Sequence, residues 1–133
     1  MERRWGIEMV IGIGIDIIEI DRVKKSVDEY GEQFLQKIYT PIELEYCLSK
    51  NNKYQHLAAR FAAKEAIYKA LSTGWIKELS WQDMEIINAP NGMPTVKLKG
   101  NLENFLSEDE NLKISMSHSR DYVACVAIIY KET

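Results

Sequence analysis

A carboxylate interrupts a glycine-spaced apolar run, Gly12-Ile13-Gly14-Ile15-Asp16-Ile17-Ile18-Glu19. A second stands one helical turn from a lysine in an alanine-rich stretch, Arg60-Phe61-Ala62-Ala63-Lys64-Glu65-Ala66-Ile67-Tyr68-Lys69-Ala70. One carboxylate from a strand, one from a helix and a nearby ammonium suit a divalent cation that holds a phosphate. On a helical wheel Leu57, Phe61, Lys64, Tyr68 and Leu71 share a core-like stripe, with Ala58, Ala62, Glu65 and Lys69 beside it. The small alanines leave room for a bulky ligand next to the charges. Each residue also has a plainer reading. Glu65 and Lys69 could be an i, i+4 surface pair worth a few tenths of a kcal/mol. Asp16 could be a turn or helix N-terminal acid, and Lys64 could snorkel to the helix rim.

A third segment, Ser115-Met116-Ser117-His118-Ser119, places a histidine among hydroxyls at a hairpin mouth, a position open to a ligand. Other chemistries are excluded. Gly12 and Gly14 lack the third glycine and the βαβ unit of a dinucleotide fingerprint. Two histidines and no nucleophile elbow do not make a catalytic triad. Two scattered His and two scattered Cys do not make a zinc site.

These residues need elements to position them. Residues 10–18 alternate as a strand, with an isoleucine row (Ile11, Ile13, Ile15, Ile17) expected to face the core. The opposite Gly12–Gly14–Asp16 face is nearly bare, open to another backbone or a ligand. A helix starts near Asp21, carries Val23, Val27 and Tyr30, and ends at Gly31; a short one holds Phe34, Leu35 and Ile38. Thr40-Pro41-Ile42-Glu43 reads as N-cap, first-turn proline and capping-box glutamate of a third helix reaching Ser49. Residues 54–71 form the clearest helix, stopped by Ser72-Thr73-Gly74. Strands 83–88 and 94–98 flank an Asn91-Gly92 turn, residues 100–106 make one or two helical turns, and 112–118 and 122–130 form a second hairpin. The order predicts an α+β fold, a mostly antiparallel sheet packed against helices.

The chain has 133 residues and no Pro/Gly/Ser-rich linker, so residues 9–133 are expected to form one domain behind an eight-residue N-terminal extension. The 46% hydrophobic and 28% charged fractions are those of an ordinary soluble protein. A net charge of −3 argues against a general nucleic-acid binder. No apolar run is long enough for a membrane span or built like a signal peptide. Cys47 and Cys125 read as reduced core thiols of a cytoplasmic protein.

Taken together, the three segments resemble the holo-acyl-carrier-protein synthase family of 4′-phosphopantetheinyl transferases. The likeness runs from about Met9 to Tyr130 and includes Thr73-Gly74 and Asn91-Gly92-Met93-Pro94, where Met93 replaces a frequent lysine. The resemblance implies transfer of phosphopantetheine from coenzyme A to a serine of an apo acyl carrier protein, releasing adenosine 3′,5′-bisphosphate. It implies Asp16 and Glu65 as ligands of Mg²⁺ on the pyrophosphate, and Lys69 as the cation offsetting charge on the phosphates. By the same likeness Arg60, Lys64, Thr73, Gly74 and His118 lie along coenzyme A. Arg22, Lys24 and Lys25 would meet the acidic carrier, although Asp28, Glu29 and Glu32 follow them. The family implies a homotrimer with active sites between subunits. Two alternatives stay open on the residues alone: a phosphotransferase or phosphohydrolase acting on another nucleotide, and a non-catalytic module that binds coenzyme A or the carrier.

Overall fold

The structure is a computed structural model that describes residues 7–71 and 79–132. In order it runs β1 (Ile7–Glu19), α1 (Ile20–Tyr30), α2 (Glu32–Ile38), α3 (Pro41–Leu48), α4 (Lys53–Leu71), β2 (Met84–Asn88), β3 (Pro94–Leu98), β4 (Glu110–His118) and β5 (Tyr122–Glu132). Single 3-10 turns cover Trp81–Asp83 and Gly100–Leu102. The strands form two antiparallel sheets, β1-β5-β4 and the β2-β3 hairpin, and α4 packs on β1 and β5. This is the α+β arrangement the sequence predicts. β1 begins at Ile7, two residues inside the segment assigned to the extension, because Ile7 still pairs with Glu132 of β5.

Local chemistry sets the helix ends. Gly31 (φ 54°) separates α1 from α2 in a backbone region that only glycine enters cheaply. Thr40 Oγ1 accepts from the Glu43 amide at 3.3 Å, and Glu43 Oε1 accepts from the Thr40 amide at 2.9 Å, completing the capping box before α3.

The faces of β1 are the reverse of the expected ones. Ile13, Ile15 and Ile17 are 64%, 66% and 65% exposed, whereas Gly12 and Gly14 are buried against α4. A β-carbon at Gly14 would collide with the Ala66 carbonyl oxygen, and one at Gly12 with that of Ala70. Alanines 58, 62, 63, 66 and 70 are all fully buried, and where α4 meets β1, at Ala66 and Ala70, it offers almost no side-chain thickness. Strand and helix backbones therefore meet nearly in contact. Alternation shows that two faces of a strand differ, and only the partner decides which one is inward.

Lys64 also departs from expectation. It does not snorkel to the rim: it is 1% exposed, and Nζ donates to Glu43 Oε1 (2.6 Å), Ile38 O (2.7 Å) and Trp81 O (2.9 Å). Those three acceptors use all three ammonium protons. Glu43, fully buried, also accepts from the Ile86 amide at 2.9 Å, so one carboxylate ties α3, α4 and β2 together. Burial pushes the Lys64 pKa down and the Glu43 charge works against that shift. Such a pair offsets its desolvation only when every remaining polar atom is matched, as here.

Candidate active site

The close β1–α4 contact brings the first two sequence segments together. Lys69 Nζ, near the end of α4, donates to Asp16 Oδ1 at 3.1 Å and to the Ile15 carbonyl at 3.0 Å on β1. Glu65, one turn earlier on α4, has its carboxyl pKa raised by partial burial and then by the Asp16 charge, with Lys69 pulling the other way. Two carboxylates and an ammonium thus share one spot. Asp16 and Glu65 border a cleft of about 290 Å³ whose other walls include Arg22 and Ser26 from α1, Phe34 from α2 and Phe61 from α4.

The donor set fits Mg²⁺. Among the described residues no group of three or more His, Cys, Asp or Glu could hold a metal. Mg²⁺ seldom needs one, since it commonly takes one or two carboxylates and fills its octahedron with phosphate oxygens and water. The Asp16 charge, which adds to burial in raising Glu65, is the kind of repulsion a bound dication relieves.

A second cleft, about 420 Å³, lies at the other side of α4. Arg60 and His56 line it from the helix, His118 and Ser117 from the end of β4, and Gly92 and Met93 from the β2–β3 turn. Arg60 is 3% exposed and stacks on the Tyr46 ring, its Cζ 4.4 Å from the centroid. Nη2 donates to Asn88 Oδ1 at 2.7 Å, while Nε is buried without a hydrogen-bond partner. The His56 pKa is lowered by burial and by the nearby charges of Arg60, Lys50 and His118. This cleft is cationic, and the first is carboxylate-rich. Sequence reasoning missed His56, Tyr46 and Asn88. His56 had a signal, since it lies four residues before Arg60 and so on the same helix face.

A family model covering the 4′-phosphopantetheinyl transferase superfamily matches residues 12–127. The chain belongs to that superfamily. The holo-[acyl-carrier-protein] synthase of Chlamydia trachomatis serovar L2 is 50% identical over 119 residues, 90% of this chain and 98% of that one. The holo-[acyl-carrier-protein] synthase of Neisseria meningitidis superposes with a TM-score of 0.83 at 32% identity, over 92% of this chain and all of the other. That of Bacillus anthracis, solved in complex with CoA (3′,5′-ADP), gives 0.76 at 32% identity, over 94% of this chain and 100% of that one. This chain is accordingly a phosphopantetheinyl transferase of the holo-[acyl-carrier-protein] synthase kind.

The remaining expected residues of the transferase divide sharply. Arg22 borders the Asp16–Glu65 cleft. Lys25 is paired with Asp21 at 3.1 Å, both side chains exposed, and Lys24 sits 5.8 Å from the Tyr54 ring beside Arg120 and Asp121. Only Arg22 of the three basic residues is therefore at the site. Lys64 lines neither cleft, and its ammonium is held by Glu43 and the Ile38 and Trp81 carbonyls. Thr73 and Gly74 lie outside the described residues.

Proposed function

We propose that this enzyme moves the 4′-phosphopantetheine group of coenzyme A to a serine of apo acyl carrier protein, releases adenosine 3′,5′-bisphosphate and uses Mg²⁺. The observation that carries the reading is the convergence of Asp16, Glu65 and Lys69 beside a cleft, in a chain of this superfamily. Asp16 and Glu65 would hold the Mg²⁺, which supplies charge neutralisation to the pyrophosphate when bound. Lys69 adds a fixed positive charge where phosphate charge builds up, and being anchored to β1 it needs little reorganisation. Arg60 and His118, in the cationic cleft across α4, hold the nucleotide half and so orient the phosphoanhydride. Phosphoryl transfer asks little covalent chemistry of the protein, and a site made of positioning and charge suffices.

A homotrimer with active sites between subunits is part of the proposal. Ile13, Ile15 and Ile17 form an exposed apolar row on edge strand β1, the same strand that carries Asp16. A row of this kind is a ready contact for another copy. A cytoplasmic location is also proposed, in keeping with Cys47 and Cys125, both free and buried. Arg22 is the favoured basic contact for an acidic carrier, because it stands at the cleft where the carrier serine must arrive.

Incubation with apo acyl carrier protein, coenzyme A and Mg²⁺, followed by mass spectrometry of the carrier and chromatography of the nucleotide, tests the whole scheme. The carrier should gain one phosphopantetheine and an equal amount of adenosine 3′,5′-bisphosphate should appear. An unmodified carrier, or hydrolysis of coenzyme A without carrier modification, would sink it.

A further inference from the structure

Arg60 is almost entirely buried yet leaves Nε without a partner. A buried unmatched donor is costly, so the side chain is held in place by its other contacts. One is the Tyr46 ring on its face. Another is Cys47, and a third is Asn88, the last residue of β2. Asn88 Oδ1 accepts from Arg60 Nη2 at 2.7 Å, and its Nδ2 donates to the Gly92 carbonyl at 3.1 Å. Each neighbour fixes the amide: turning it over would set an NH₂ against the guanidinium and an oxygen against a carbonyl. Gly92, at φ 85°, is the turn glycine of the β2–β3 hairpin and itself walls the cationic cleft.

We infer that Asn88 is a positioning residue for substrate binding: its amide locks the Arg60 guanidinium to the hairpin turn and so sets the enzyme's affinity for the nucleotide half of coenzyme A. This rests on the reading of the cationic cleft as the nucleotide site. Without Asn88 the buried guanidinium would lose its hydrogen bond to the hairpin, and part of the affinity would be lost to re-aiming it on binding. The turn and the arginine become one wall, so a ligand meets both already in place. Charge-assisted bonds of this length are among the stronger and more directional ones. Asn88 lies away from Asp16, Glu65 and Lys69, so its effect belongs on binding rather than on the chemical step.

The test compares Asn88→Ala, Asn88→Asp and His118→Ala with wild type, measuring kcat, KM for coenzyme A, and the Kd of adenosine 3′,5′-bisphosphate by calorimetry. His118 is exposed, so its replacement leaves the fold alone. Asn88→Ala should raise KM and Kd together by about 10-fold with kcat within about 2-fold, the pattern of lost uniform binding. Asn88→Asp keeps the acceptor but cancels the Arg60 charge and opposes the Gly92 carbonyl, so it should bind more weakly still. Wild-type binding by Asn88→Ala alongside weakened binding by His118→Ala would overturn the positioning role and leave the nucleotide site standing. Wild-type binding by both would overturn the nucleotide reading itself. A lower Tm with unchanged KM and Kd would reduce Asn88 to a structural hairpin residue and overturn the inference as well.

Discussion

Replacing Lys64 by Met separates the two roles this residue could have. Met preserves most of the side-chain volume and the helix propensity. It removes the cation that faces Glu43 at 2.6 Å and strips the Ile38 and Trp81 carbonyls of their shared donor. Glu43 is then left fully buried with only the Thr40 and Ile86 amides to hold its charge. Breaking one side of a buried pair costs about 3–5 kcal/mol, and the orphaned carbonyls belong to the same loss. With about 2.1 cal/mol/K of unfolding entropy per residue over 133 residues, Tm should fall by roughly 10–18 °C. Adding Glu43→Gln removes the stranded charge, so the double variant should melt above Lys64→Met alone. Thermal melts at one fixed protomer concentration read the first effect, and transfer kinetics on the folded fraction read the second. KM for coenzyme A should stay within about 3-fold of wild type. A Tm within about 3 °C of wild type together with a raised KM would refute the reasoning, since a surface substitution does little to stability.

Asp16→Asn should remain folded and lose the Mg²⁺-dependent rise in Tm, which for wild type at 100 times Kd corresponds to about 2.7 kcal/mol; an undiminished shift would dismiss Asp16 as a ligand. Glu65 holds its proton more tightly folded than unfolded, so its contribution is fully present below the ordinary pKa of 4.5 and is lost as pH rises through the raised value. In chelator, Glu65→Gln should therefore melt above wild type at pH 7 and close to it at pH 4, and equal melting at both would contradict the raised carboxyl pKa. Lys69→Met should lower kcat by ~10²–10³ with little change in Tm; unchanged kcat with a lower Tm would make Lys69 a structural tie. Ile15→Asp should shift sedimentation from trimer to smaller species and reduce transfer with it, and an unaltered profile would remove β1 from the subunit contact.

Features decided by neighbours in sequence were legible beforehand. The Thr40–Glu43 capping box, the Gly31 break and the Asn91-Gly92 turn each follow from a few residues acting locally, and each appears at its expected place. The orientation of β1 was not legible, because a row of isoleucines is equally suited to a core and to a subunit contact. The burial of Lys64 was not legible either. Its partner Glu43 lies 21 residues away and was already accounted for as a cap. At the candidate site, Asp16, Glu65 and Lys69 stood out because each interrupts an apolar or alanine pattern. Asn88 did not, since an asparagine at the end of a strand looks like any turn residue until Arg60 is seen beside it.

The glycine seam between β1 and α4 has a consequence for heat. No side chain separates the Gly14 backbone from the Ala66 carbonyl, so the gap between the elements bearing Asp16 and Glu65 is fixed by main chain against main chain. Rotamer fluctuations, the first motions that warming excites in a core, cannot widen it. The seam opens only when helix and strand part, and that is the melting of the domain itself. Warming should accordingly leave the spacing of these two backbones unchanged up to the edge of the transition, however far the side chains around them loosen.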